Sequence, residues 1–136
     1  PGDNGIMSTD VDNVQFQKDW DERVQYIESA LKKSGETYHV DDVYELVCAG
    51  IAHFEPLEDG AAVFLLHQYP QRRLLRIWLA GGVLPTNIER VLEAATKHAS
   101  RLECDGIEVE GRRGWERILK PYGYGHKRAV LIKDLN

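Results

Sequence analysis

Residues 74–99, LLRIWLAGGVLPTNIERVLEAATKHA, change hydrophobic period once, and that change limits what the chain can fold into. From Leu74 to Leu79 the run is apolar on both alternating faces except at Arg76. That is the pattern of a strand covered on two sides and central in its sheet. After Gly81 and Gly82 the spacing becomes three and four, with Ile88, Val91, Leu92, Ala95, Ala99 and Leu102 on one helical stripe that must face the sheet. Thr86 and Glu89 stand at capping-box spacing and mark the helix start. Asp105-Gly106 closes the helix and residues 107–110 begin a new strand, so the unit is a crossover that should be parallel and right-handed.

The rest of the chain supplies layers for this unit. In residues 12–33, Phe16, Trp20, Val24, Ile27 and Leu31 share one face, which predicts a long amphipathic helix ending at Ser34-Gly35. Such a helix covers the sheet or meets a partner, and a homo-oligomer through it is one expectation. Residues 38–49 read as a second helix with Asp41-Asp42 in its first turn, where the macrodipole favours negative charge. An antiparallel meander follows, with strands at 51–57, 61–69 and 73–80. Beyond the crossover come a turn at 111–114, a short helix at 115–120 stopped by Pro121, and a last strand at 124–135. The fold class is therefore mixed α/β, an α+β arrangement on a mixed sheet. Residues 1–6 read as an expression-vector remnant, with Met7 a natural start and 7–136 a single domain.

Charge and spacing exclude several chemistries. A net charge of -5 argues against broad nucleic-acid or anionic-membrane binding. No apolar run approaches the roughly 20 residues of a membrane span, and the first residues are too polar for a secretory signal peptide. Cys48 and Cys104 read as small core residues of a reducing compartment. His39, His53, His67, His98 and His126 show no metal-type spacing, so no metal site is expected. No nucleophile elbow, P-loop or dinucleotide fingerprint occurs.

A few residues stand above this background. Gly81 and Gly82 precede a helix N-terminus, where amides and the dipole can hold a phosphate, but a tight turn is the favoured reading because Pro85 has no amide and Glu89 would repel an anion there. Arg112, Arg113, Trp115 and Arg117, with Lys120, form a cationic and aromatic cluster suited to an acidic or phosphorylated partner. Tyr122, Tyr124 and His126 are candidate general acids, and Glu55 and His67 candidate general bases.

The order of elements over 38–135, with the segments LRIWLAGG, IERVLEAATKHA and IEVEGRRGWERILKPYGY, resembles the GCN5-related N-acetyltransferase (GNAT) fold. It also resembles the small acetyltransferase-like proteins encoded among virion genes of tailed phages. The resemblance implies an acetyl-CoA site in which Gly81, Gly82 and Thr86 hold the pyrophosphate and Tyr122, Tyr124 or His126 acts as acid. The chain departs from the family at the residues that matter most. The family's R/Q-x-x-G-x-G/A becomes Ala80-Gly81-Gly82-Val83-Leu84-Pro85, the position of its frequent catalytic tyrosine falls on Leu119, and Trp115 crowds the cofactor groove.

The expectation is thus a GNAT-like domain with a degenerate acetyl-CoA site and no cofactor. It would act as an interaction or assembly protein among virion proteins, in the host cytoplasm or the virion, through Arg112, Arg113, Trp115 and Arg117. The alternative is a divergent acyl-CoA-dependent N-acyltransferase that uses acetyl-CoA. A third reading is a small-ligand domain using the groove between the central strand and residues 107–110.

Overall fold

The structure is a computed structural model that describes residues 2–82, 86–109, 117–125, 127, 131 and 133–135, with side chains from residue 13 onward and none at Thr86. Its elements in order are α1 (Gly2–Lys33), α2 (Val40–Cys48), β1 (Ala52–Leu57), β2 (Gly60–Gln68), β3 (Arg73–Gly82), α3 (Thr86–Arg101) and β4 (Gly106–Val109), then a 3-10 turn at Lys120–Tyr122. The sheet order is β1-β2-β3-β4, with β1-β2-β3 antiparallel and β4 parallel to β3. The strand carrying Leu74–Leu79 is interior, as its two-sided apolar pattern requires.

Helices cover both faces. On one side Ile88, Val91, Leu92, Ala95 and Ala99 of α3 pack on Leu57, Ala62, Phe64, Leu75 and Ile77. On the other, Trp20, Ile27 and Leu31 of α1 and Val43 of α2 pack on Ala52, Phe54, Ala61, Val63 and Leu79. The apolar stripe of α1 is therefore spent within the chain. Arg23 fastens α1 to the end of β1 by donating from Nε to the Leu57 carbonyl at 2.6 Å.

Leu75 and Ile77 face α3, while Leu79, of the same parity, faces α1. The cause is a bulge: Phe64 pairs with Ile77 and Val63 with Leu79, so Trp78 is an extra residue in β3 and strand parity reverses there. An apolar strand covered on both faces carries no sequence mark of such a reversal. Trp78 is half-buried and meets the Tyr38 ring edge-on at 4.8 Å. Trp78→Ala is accordingly expected to cost about 2 kcal/mol in denaturant melts, less than a fully buried tryptophan.

Several local readings need correction. Gly81 and Gly82 do not make a turn; they belong to β3, opposite Ala61 and Gly60. Helix α1 starts at Gly2 rather than near Asp12, no proline interrupting the segment after Pro1. Helix α2 starts at Val40, and Tyr38 lies outside it. His39 is the N-cap: its Nδ1 accepts from the Asp41 amide at 3.1 Å, and Asp42 accepts from the His39 amide at 2.8 Å. Cys48 is exposed because it ends α2 on the solvent side, and Cys104 lies after α3 and is half-buried. Residues 117–119 are helical, and Pro121 is taken into the following 3-10 turn. Much of the expected last strand lies outside the described residues; Tyr124, Gly125, Lys127, Leu131 and 133–135 are in neither helix nor strand. Among the described residues, no helix is long and apolar enough to cross a membrane.

Candidate functional site

Three elements meet where β3 ends and α3 begins. The β1–β2 turn brings the Asp59 carbonyl against Gly82, and Asn87, in the first turn of α3 and only 3% exposed, donates to that carbonyl from Nδ2 at 3.0 Å. Gly82 adopts φ +127, and a Cβ there would collide with the Asp59 oxygen and lie 2.6 Å from the Gly60 Cα. Gly81 approaches α1 so closely that a Cβ would lie 2.6 Å from the Tyr26 carbonyl oxygen. Both glycines are thus required by packing, and their backbones continue the β2–β3 ladder. The ladder accounts for them without any bound anion.

The charge at this junction is negative. Glu89, exposed in the first turn of α3, accepts a hydrogen bond from the Tyr122 hydroxyl at 3.1 Å. Partial shielding from water and then the neighbouring carboxylate push the Tyr122 phenol up. Thr86 is the first residue of α3 rather than its cap, and its side chain lies outside the described set. A carboxylate at this end of a helix suits the macrodipole and competes with any incoming anion.

Of the other sequence candidates, Tyr124 packs against the α3-side core, and burial raises its phenol. Arg117 and Lys120 are exposed. Arg112, Arg113, Trp115 and His126 lie outside the described residues. Among the described residues, no three His, Cys, Asp or Glu side chains are placed to hold a metal ion.

The structure separates Glu55 from His67, the two suggested bases. Glu55 accepts from His53 Nε2 at 2.9 Å. His67 joins a cluster centred on Glu108, which the sequence reading missed. Glu108 of β4 accepts from the Tyr69 hydroxyl at 2.7 and 2.9 Å and from Arg76 Nε at 3.2 Å, and lies 3.3 Å from His67 Nδ1. Register explains the meeting, since Arg76 pairs with Leu65 on one side and with Glu108 on the other. His67 also stacks on Tyr69 at 4.1 Å. One signal was present in the sequence: Arg76, the single charge in the apolar run of residues 74–79, needs a buried partner of opposite sign.

Among the described residues, strand β3 runs past the end of β4. The last described pair is Ile77 with Val109, and β3 continues to Gly82. Beyond that pair the described part of β4 offers no partner to residues 78–82.

No family model matches the sequence, and no curated protein matches it. Solved structures do resemble the fold. The tetramutant of BH1408 protein from Bacillus halodurans aligns with a TM-score of 0.59 at 16% identity, covering 79% of this chain and 86% of that one. Glucosamine-6-phosphate N-acetyltransferase from Arabidopsis thaliana aligns at 0.57 and 10% identity, covering 80% and 90%. Ribosomal-protein-alanine N-acetyltransferase from Brucella melitensis biovar Abortus 2308 aligns at 0.56 and 10% identity, covering 80% and 91%. The chain has a GNAT-like fold; at these identities the likeness speaks for the fold alone.

Proposed function

We propose that this GNAT-fold chain has a degenerate acetyl-CoA site and works as an interaction or assembly protein, with a phage virion as its setting. The observation that carries the first part is the packing at Gly82. A pyrophosphate site needs open backbone amides between the strand and the helix, whereas Gly81 and Gly82 are committed to the ladder and to contacts with Tyr26, Asp59 and Gly60. Pro85 contributes no amide, and Glu89 places a negative charge in the first turn of α3. The interaction role rests on exposed Arg117 with Arg112, Arg113 and Trp115 just ahead of it in sequence, a set suited to an acidic protein surface. A homo-oligomer through α1 would not use Trp20, Ile27 or Leu31, which are buried in the chain's own core.

Calorimetry and thermal melts with acetyl-CoA and CoA test this reading. No heat of binding and no rise in Tm are expected at millimolar cofactor. A ligand at about 100 times its Kd stabilises by about 2.7 kcal/mol, which such melts resolve easily. Micromolar binding would promote the second reading, a divergent N-acyltransferase using acetyl-CoA with Tyr122, Tyr124 or His126 as acid. Among the described residues, support for that reading is the run of β3 to Gly82, past its last described pair at Val109, where a strand edge can pair with the amides of an extended ligand.

A further inference from the structure

At the β1 edge of the α3 side, two imidazoles from different elements lie face to face. His53 of β1 and His98 of α3 have ring centroids 4.2 Å apart at an interplanar angle of 24°. Both lie beside Phe64 of β2, at 5.8 and 6.1 Å. They border a groove of about 660 Å³ that Leu66, Leu75 and Leu102 also line. Three charged or titratable groups bear on His98: His53 and Glu55 from β1, and Arg101 from α3 itself. Glu55 accepts from His53 Nε2, and Arg101 Nη2 lies 3.5 Å from His98 Nδ1. Phe64, the β2 residue in ring contact with the pair, is uncharged.

We propose that this imidazole stack is an acid-sensitive latch between α3 and β1, closed while His98 is neutral and loosened when His98 takes a proton. A charge on His98 would sit 4.2 Å from the His53 ring and against the Arg101 guanidinium, so His98 is the ring held neutral. The Arg101 guanidinium faces a nitrogen that can accept only in the uncharged ring. Partial burial, then His53, then Arg101 lower the His98 pKa, with Glu55 opposing. The folded chain therefore binds fewer protons than the unfolded chain in the window below the ordinary imidazole value of 6.5. Stability falls with pH through that window and is regained above it. Loosening the seam uncovers Phe64 and Leu75 along the groove, beside Leu66, which is already exposed.

The test is an NMR titration of the imidazoles in the parent chain, with melts from pH 8 to pH 5 on the parent, His98→Phe and His98→Gln. His98 is expected to titrate below the ordinary imidazole value. Between pH 7 and pH 5 the parent should lose about 3 °C or more of Tm beyond what either variant loses. A His98 that titrates at its ordinary value, or variants that keep the parent's pH slope, would overturn the latch. If one variant fails to fold, the other and the parent's titration decide.

Discussion

Phe64→Ala is expected to destabilise the protein by about 3–5 kcal/mol, read as a shift of the denaturant midpoint at unchanged slope. Phe64 is 1% exposed on an interior strand and belongs to the core formed with Ile77, Leu75 and the stripe of α3. Its ring also lies beside His53 and His98, so truncation opens a cavity at the seam between β1 and α3. The sheet continues on both sides of this residue, with His53 of β1 and Ile77 of β3 as its register partners, and cannot collapse to fill the gap. Leu66→Ala, two residues along on the same strand and 45% exposed, should cost about 1 kcal/mol or less. Similar losses at the two positions would mean that α3 does not close over β2 as described.

The crossover was readable because one hydrophobic period gives way to another. Ile88, Val91, Leu92, Ala95 and Ala99 are all buried against the sheet as their spacing demands. The α1 face was readable for the same reason, and Trp20, Ile27 and Leu31 are at most 5% exposed. What sequence could not convey was register. The bulge at Trp78 leaves the composition of β3 unchanged yet sends Leu79 to the opposite core from Ile77. The Glu108 cluster draws on three strands, so its members stand up to 41 positions apart in a chain whose local pattern is ordinary. Glu55 and His67 were each candidate bases on the neighbouring strands β1 and β2. In the structure each has found a different partner, His53 and Glu108.

The glycines were legible as glycines but not as to purpose, and the second large expected effect separates the two purposes. Gly82→Ala should cost about 3–5 kcal/mol, because it adds two penalties. A non-glycine residue at φ +127 carries backbone strain of about 1–3 kcal/mol. The new methyl must also displace the β1–β2 turn at Asp59 and Gly60, and overpacking of that kind costs about 1–3 kcal/mol. Gly81→Ala meets no such strain but presses on the Tyr26 carbonyl, so its cost falls on the docking of α1 to β3. Gly123→Ala is the control: φ is +91 there, yet nothing lies within 4 Å of the added methyl, so only the conformational part is lost, about 1 kcal/mol. Melts on the three variants should rank Gly82 well above Gly123. If Gly82 instead served a bound phosphate, its replacement would cost the free protein only the conformational part, and its further effect would fall on ligand affinity. A Gly82→Ala chain as stable as Gly123→Ala would therefore remove the packing argument and reopen the β3–α3 junction as a cofactor site.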